Sequence, residues 1–288
     1  MEIGKGASEA VKTKIPINPM LVRRAISALV ILLIGLSLVL IGGWVYAIGI
    51  TVILGCAAWE FINLFKKGGY DPNPYPLLSG TAAITISTFL DKQTVTSLFY
   101  VISIFLILIS TALNYRKKEK TAAFDVVFEI AALFFITFLG TYLIKIRILP
   151  NGLFWIMISI LPVGIGDVGA YFTGNLFGKH KLAPKLSPNK TIEGYFGGVF
   201  AAILTSYVVG LIANHYIPTI TILSAVLIGC VTGLLGPVGD LSKSIFKRQF
   251  NLKNTGDIIP GHGGVLDRID SWLWAAPIAY YLIIFFFL

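Results

Sequence analysis

Cysteine, histidine and charge are all scarce in this chain. Its two cysteines, Cys56 and Cys230, both lie in apolar segments, which excludes a disulfide framework and leaves no cysteine spacing for a metal. Only three histidines occur, and no cysteine lies near His262, which argues against zinc. Charged residues are 13% of the 288, about half the share of an average soluble domain, whereas apolar residues reach 56%. That balance excludes an ordinary soluble domain. The net charge of +9 could suggest nucleic acid, but at a mean hydropathy of +0.82 the cations are more simply loop residues that hold topology and meet anionic headgroups. No nucleic-acid partner is expected. There is no sequence repeat of the kind that marks inverted-repeat transporters. The polar first twenty residues contain no apolar core, so no cleaved signal peptide is expected.

What the chain does have is a series of apolar runs. A spanning helix needs about 20 mostly apolar residues, and counting such runs predicts an all-α polytopic integral membrane protein of about nine transmembrane helices. The runs are 22–41, 44–65, 77–90, 95–113, 124–144, 153–177, 195–213, 217–236 and 271–288, with Gly42-Gly43 as a tight hairpin between the first two. This divides the chain into an N-terminal segment (1–21), an N-terminal bundle of about five spans (22–150) and a C-terminal domain of about four spans with two polar loops (151–288). Lys and Arg concentrate in alternate loops, and only Lys92, Lys145 and Arg147 fall in the opposite set. The amino terminus is therefore expected to be cytoplasmic, the carboxyl terminus external, and both polar loops cytoplasmic. Trp44, Trp59, Trp155, Trp272 and Trp274 lie near expected span ends, as an interfacial belt would place them.

The first polar constellation runs from Gly164 to Gly198. Asp167 sits inside an apolar run, where a carboxylate costs about 2.5–3.5 kcal/mol unless it is paired or wet, which makes it a functional candidate or a paired helix-end acid. Ser187, Lys190, Thr191 and Glu193 follow, with Pro188 setting a turn before a new helix. Amides at that helix start, together with Lys190, suit phosphate oxygens, although a plain helix start reads the same way. The second constellation runs from Gly236 to Asp270 as a polar stretch between two apolar segments. Asp240 and Ser244 share a helical face, as do Asp267 and Asp270. Lys247, Arg248, Lys253 and Arg268 add cations, and Gly263 and Gly264 beside His262 let a ligand approach the main chain. Oxygen ligands beside phosphate-binding cations suit Mg²⁺.

These residues resemble a known family. Ser244-x-Phe246-Lys247-Arg248, then Lys253 and Gly256, then the run from Ile259 through His262-Gly263-Gly264 to Asp267-Arg268-Ile269-Asp270, is similar to the signature of the phosphatidate cytidylyltransferases, or CDP-diacylglycerol synthases. Asp167-x-Gly169-Ala170-Tyr171 and the segment from Phe177 to Gly194 resemble the same family. Three positions depart from its pattern: Asn254 where Asp is usual, Val168 where a hydroxyl is frequent, and Ile192 in place of a frequent Trp.

The resemblance implies transfer of the cytidylyl group of CTP to phosphatidate in a membrane, in phospholipid biosynthesis. It implies Asp240, Lys247, Asp267 and His262 as the catalytic set. Mg²⁺ would be held by Asp240 and Asp267 with Ser244 as a further ligand, a second, monovalent cation being left open. Substrates would be bound by Asp167, Ser187, Lys190, Thr191, Glu193, Ser244, Arg248, Lys253, Gly263, Gly264, Arg268 and Asp270. A bacterial plasma membrane and a homodimer are compatible with this reading. Two alternatives stay open on the residues alone: a CTP-dependent transferase for another membrane lipid, and a secondary transporter or cation channel, since intramembrane carboxylates also build ion sites.

Overall fold

Apolar segments away from water must pair every backbone N–H and C=O within themselves, and the helix is the local way to do so. The computed structural model describes residues 19–250, 252, 255–256 and 263–288, with side chains from residue 30 onward except that of Lys118. Its helices are α1 (Pro19–Ile41), α2 (Gly43–Lys67), α3 (Pro74–Phe89), α4 (Gln93–Leu113), the short α5 (Tyr115–Lys118), α6 (Ala122–Ala132), α7 (Leu139–Ile148), α8 (Gly152–Phe177), α9 (Ile192–Tyr216), α10 (Ile222–Gln249) and α11 (Leu266–Phe286). A wide π turn, Leu133–Phe138, joins α6 to α7 as one continuous rod. Among the described residues, seven helices are long and apolar enough to cross a membrane: α2, α4, the 122–148 rod, α8, α9, α10 and α11. Helices α1 and α3 fall on the first and third expected runs, but α3 has only 16 residues.

Local sequence sets the ends. Asn73 caps α3 by accepting from Tyr75 N (3.2 Å) with Pro74 at the first helical position, and Thr221 caps α10 by accepting from Ser224 N (3.1 Å). Gly42 and Gly43 turn between α1 and α2 with φ of 69° and 54°. Arg147, one of the cations on the unexpected side, donates from Nε to Val39 O (3.1 Å) at this turn. Lys145, another, lies 4.6 Å from the Tyr142 ring centre.

The fold is mostly helical, as expected, and β1 (Lys181–Ala183) and β2 (Ser187–Thr191) form a short antiparallel hairpin between α8 and α9, so Ser187 and Pro188 lie in a strand and not in a turn. Two span bounds need correction. The eighth span starts at Ile222 and does not stop near Gly236; it continues to Gln249 through Pro237, because one missing N–H does not end a helix whose other amides stay paired. The ninth helix starts at Leu266, not at 271. Asp240, Ser244, Lys247, Arg248, Asp267 and Asp270 thus stand on helix ends, which hydropathy alone cannot tell from a loop.

One buried cluster runs through both halves, from Tyr46 on α2 to Ile283 on α11. Phe246 on α10 meets Phe61 (5.2 Å between ring centres) and Phe135 (6.2 Å), and Phe250 meets Phe65 (5.6 Å). These rings fasten the polar end of α10 to α2 and the π turn. Helices α8 and α9 meet backbone against backbone, since a Cβ at Gly194 would come within 2.8 Å of the Ala170 carbonyl oxygen.

Candidate active site

Four elements bring charge to one place. Asp240, Lys243 and Lys247 repeat at three- and four-residue spacing along the last turns of α10, and Asp267, Asp270 and Ser271 do so on the first turns of α11. Gly239 allows the two helices to touch: a Cβ there would lie 2.9 Å from the Ser271 Cα and closer still to the Asp270 backbone. Helix α8 supplies Asp167 and β2 supplies Lys190. Together with Arg268 these residues line a cleft of about 340 Å³. The C-terminal ends of α8 and α10 and the N-terminal ends of α9 and α11 share one side of the bundle, and the cleft lies there.

Lys243 is the hub. Its Nζ lies 3.1 Å from Asp240 Oδ1, 3.0 Å from Asp267 Oδ1 and 2.5 Å from Asp270 Oδ2, with a side chain only 4% exposed. Lys190 reaches Asp240 Oδ2 at 2.7 Å, and Lys247 reaches Asp267 Oδ1 at 3.2 Å. The other Asp267 oxygen, Oδ2, accepts from Thr255 N (3.1 Å), Thr255 Oγ1 (2.9 Å) and Gly264 N (3.2 Å). Asp270 Oδ1 accepts from Ser271 N (2.8 Å), and its Oδ2 is held by the Lys243 ion pair. A second, small apolar cavity of about 30 Å³ between α8, α9 and α10 shares Asp167 with the cleft and is otherwise lined by residues such as Val163, Tyr195 and Pro237.

Of the residues singled out in the sequence, Asp167, Lys190, Asp240, Lys247, Asp267, Arg268 and Asp270 meet in the cleft. Others do not. Ser244 is buried and its hydroxyl donates to the Asp240 carbonyl oxygen (2.7 Å) one turn earlier on its own helix. Thr191 caps α9 by accepting from Gly194 N (3.1 Å). Glu193 accepts from the amides of Lys179 (3.1 Å) and His180 (3.2 Å) and pairs with His180 Nδ1 at 2.6 Å, which holds the hairpin to α9. Ser187 pairs with Ala183 across the hairpin, and Arg248 Nε donates to Leu186 O (3.0 Å), tying the hairpin to α10. Gly263 takes φ of 81°, a conformation that favours glycine. Gly264 is the amide donor to Asp267. His262 and Lys253 lie outside the described residues.

Two residues that matter here escape a sequence reading. Lys243 looks like one more topology cation, although its spacing of three from Asp240 is a usable signal. Glu60, 2% exposed on α2, accepts from Val265 N (2.9 Å) and Leu266 N (2.9 Å). It caps the start of α11 from the other half of the chain. Its signal is the one that flagged Asp167, an acid in a strongly apolar run.

Comparison with known proteins gives this cleft its context. The model of the cytidylyltransferase family matches residues 22–286. A protein of Staphylococcus epidermidis named phosphatidate cytidylyltransferase is 34% identical over 266 residues, covering 91% of this chain and 98% of its own length. A Staphylococcus aureus protein of the same name is 31% identical with the same coverage. One from Bacillus subtilis is 38% identical over 186 residues, 64% of this chain and 68% of its own. The match runs over almost the whole helical array and includes every residue of the cleft, so the chain belongs to the cytidylyltransferase family and is a membrane-embedded nucleotidyltransferase.

Proposed function

We infer that this chain catalyses the reaction for which its relatives are named, CTP plus phosphatidate giving CDP-diacylglycerol and pyrophosphate, and that the aspartate–lysine cleft is where it does so. The observation that carries this reading is four carboxylates interleaved with four cations in one cleft at one end of the helices. A phosphate oxygen of the lipid attacks the α-phosphorus of CTP, the bond to the β-phosphate breaks, and pyrophosphate leaves. Both partners are anions, so holding them together and offsetting their charge dominates the barrier. A phosphate monoester has its second pKa near 6, so the nucleophile is already deprotonated at neutral pH. No base is required, and His262 is assigned a positioning role.

The cations divide by reach. Lys190, with a side chain 28% exposed, and Lys247, 12% exposed, each touch one carboxylate and keep N–H donors for phosphate oxygens. Arg268 is exposed beside them and adds a planar fork for the triphosphate. Asp240 and Asp267 bring hard oxygens from two helices to the same cleft, which fits Mg²⁺, an ion that takes one or two carboxylates and fills its other positions with phosphate and water. Bound there, it would supply charge neutralisation at the nucleotide phosphates. Asp167 stands between the polar cleft and the apolar cavity, the position expected for a lipid headgroup whose tails lie among the helices.

In this reading α1 and α3 also cross the membrane, giving nine spans. The excess of Lys and Arg on the cleft side puts that side in the cytoplasm of a bacterial cell, with the carboxyl terminus outside. The cleft residues gather at one end of the bundle, whereas a transporter needs a polar path to both faces.

The test is direct. Purified protein given phosphatidate, Mg²⁺ and CTP labelled at the α-phosphate is expected to form a labelled CDP-lipid and unlabelled pyrophosphate. Absence of any labelled lipid across a panel of phosphorylated lipids would overturn the reading, and a product formed only from another lipid would correct the acceptor.

A further inference from the structure

Glu60 stands on α2, in the other half of the chain from the cleft, and is buried. A buried carboxylate must be compensated by hydrogen bonds or charge, and this one meets two consecutive amides: Oε1 accepts from Val265 N and Oε2 from Leu266 N, both at 2.9 Å. The amide just before them, Gly264 N, donates to Asp267 Oδ2 (3.2 Å). Three successive amides of one turn are thus divided between Glu60 and Asp267. Thr255 reaches the same Asp267 oxygen through its N (3.1 Å) and its hydroxyl (2.9 Å). The packing is as close as the bonding: a Cβ at Gly256 would lie 2.7 Å from Glu60 Oε1, and one at Gly264 would lie 2.7 Å from Glu60 Cδ. The next residue on α2, Phe61, meets Phe246 of α10 with ring centres 5.2 Å apart. Neighbouring positions on α2 therefore grip both helices that carry the aspartates of the α10–α11 contact.

We propose that Glu60 is a positioning residue for the reaction, holding the turn into α11 so that Asp267 keeps its place in the cleft. Asp267 has one oxygen on that turn and the other, Oδ1, on Lys243 (3.0 Å) and Lys247 (3.2 Å). Where the turn sits therefore decides where Oδ1 sits. Glu60 does not line the cleft, so its influence passes through the turn alone. Glutamine cannot replace it, because its side chain has one acceptor oxygen and its NH₂ group would face the second amide donor against donor. The turn must then shift, and a displacement of about 1 Å at a reacting centre can cost about 10²-fold in rate.

The inference rests on the nucleotidyltransferase reading of the cleft, and its test separates the two. Hydrogen exchange of the detergent-purified full-length protein, without CTP or lipid, is followed in the segment 263–267. Glu60→Gln is expected to exchange there about tenfold faster than the wild type, the scale for loss of one hydrogen bond. Unaltered exchange would remove the clamp whatever the reaction. In the CTP and lipid assay, Glu60→Gln is expected to lower kcat about tenfold while KM for CTP stays within about twofold, since Lys190 and Lys247 lie on other elements. A rise in KM at unchanged kcat would overturn the proposal.

The double variant shows whether Glu60 acts through Asp267. In an Asp267→Asn background, Glu60→Gln is expected to change turnover by no more than about twofold, and a further loss of about tenfold, as for independent sites, would overturn the positioning role. Glu129→Gln is the control, because its carboxylate holds Asn73 N (2.6 Å) and not α11. An equal loss of kcat there would also overturn the proposal. Gly256→Ala pushes the Glu60 carboxylate aside with Glu60 itself intact, and it carries the same readouts where Glu60→Gln fails to fold. A wild type without cytidylyl transfer would remove the reaction and with it the positioning role, while exchange still decides whether Glu60 holds the turn.

Discussion

Between α2 and α6 and in the cleft between α10 and α11, buried acids are compensated in different ways. Asp125 and Glu129, 1% and 0% exposed on α6, accept from backbone amides: Asp71 N at 3.0 Å and Asn73 N at 2.6 Å. Glu60 does the same for the first amides of α11. Asp240, Asp267 and Asp270 each have at least one oxygen held by ammonium groups on side chains, although Asp267 and Asp270 also accept from backbone amides on the other. A backbone amide is fixed by the fold and cannot be handed to a ligand. A lysine on four methylenes can leave one anion for another, and phosphate is the anion it is offered. Acids matched to amides therefore hold loops and helix ends in place, and acids matched to lysines form a site that exchanges partners.

The difference is broken most severely at Asp267, which touches both kinds of donor. Asp267→Asn is expected to lower turnover by about 10²–10³-fold, the scale for removing one fixed electrostatic contact from a polar-transition-state site. Thermal unfolding reports whether the fold survives, and a stable variant with full activity would remove Asp267 from the site. Next comes Gly239→Ala. Its methyl group would meet the Asp270 backbone, so α10 and α11 must separate and Lys243 is drawn from Asp270. Overpacking of this kind costs about 1–3 kcal/mol, and a fall in both unfolding temperature and turnover is expected. A variant as active and stable as the wild type would mean that the helix contact is slack. Lys247→Met is smaller in effect: KM for CTP is expected to rise about tenfold, the low end for loss of one charge-assisted bond of about 1.5–3 kcal/mol, because Lys190 and Arg268 remain in the cleft. The exposed cation Lys117 on α5 serves as control, and equal effects of Lys117→Met and Lys247→Met would reduce Lys247 to a topology residue.

Much of this was legible beforehand, for physical reasons that also mark the limit. Apolar runs of spanning length must be helical in lipid, which is why the rods at 43–67, 93–113, 122–148, 152–177 and 192–216 fall on expected runs. The cleft aspartates stand at helical spacing within recognisable motifs. What escaped was geometry set by packing across the chain. Hydropathy reads polar residues on a helix end as a loop, so the last turns of α10 and the first of α11 fall within an expected polar loop. Glu60 meets Val265 across 205 positions, and no local pattern announces such a pair. Lys243 becomes a hub only because Gly239 brings α10 against the Asp270 backbone. The spacing of Ser244 from Asp240 places both on one face, but not the bond its hydroxyl donates to the carbonyl four residues earlier, which a serine in a helix can make.

The mildest substitution tests the comparison most sharply, because it repeats the chemistry of Asp267→Asn in the other environment. Asp125 Oδ1 accepts from Asp71 N and its Oδ2 accepts from the Thr121 hydroxyl (3.0 Å). In Asp125→Asn the oxygen can stay on the amide while the new NH₂ group meets Thr121. A hydroxyl is both donor and acceptor, so it can turn its lone pairs to that NH₂. At Asp267 no such reversal exists: Lys243 and Lys247 face one oxygen, Thr255 and Gly264 the other, and the ammonium and amide groups are donors only. Either orientation of an asparagine there sets donor against donor. Asp125→Asn is accordingly expected to keep turnover and KM within about twofold and to cost about 1–2 kcal/mol of stability from the lost charge on its hydrogen bonds. Turnover reduced as far as in Asp267→Asn, at unchanged unfolding temperature, would show that the amide-held acids are coupled to the reaction and that the division between the two regions is wrong.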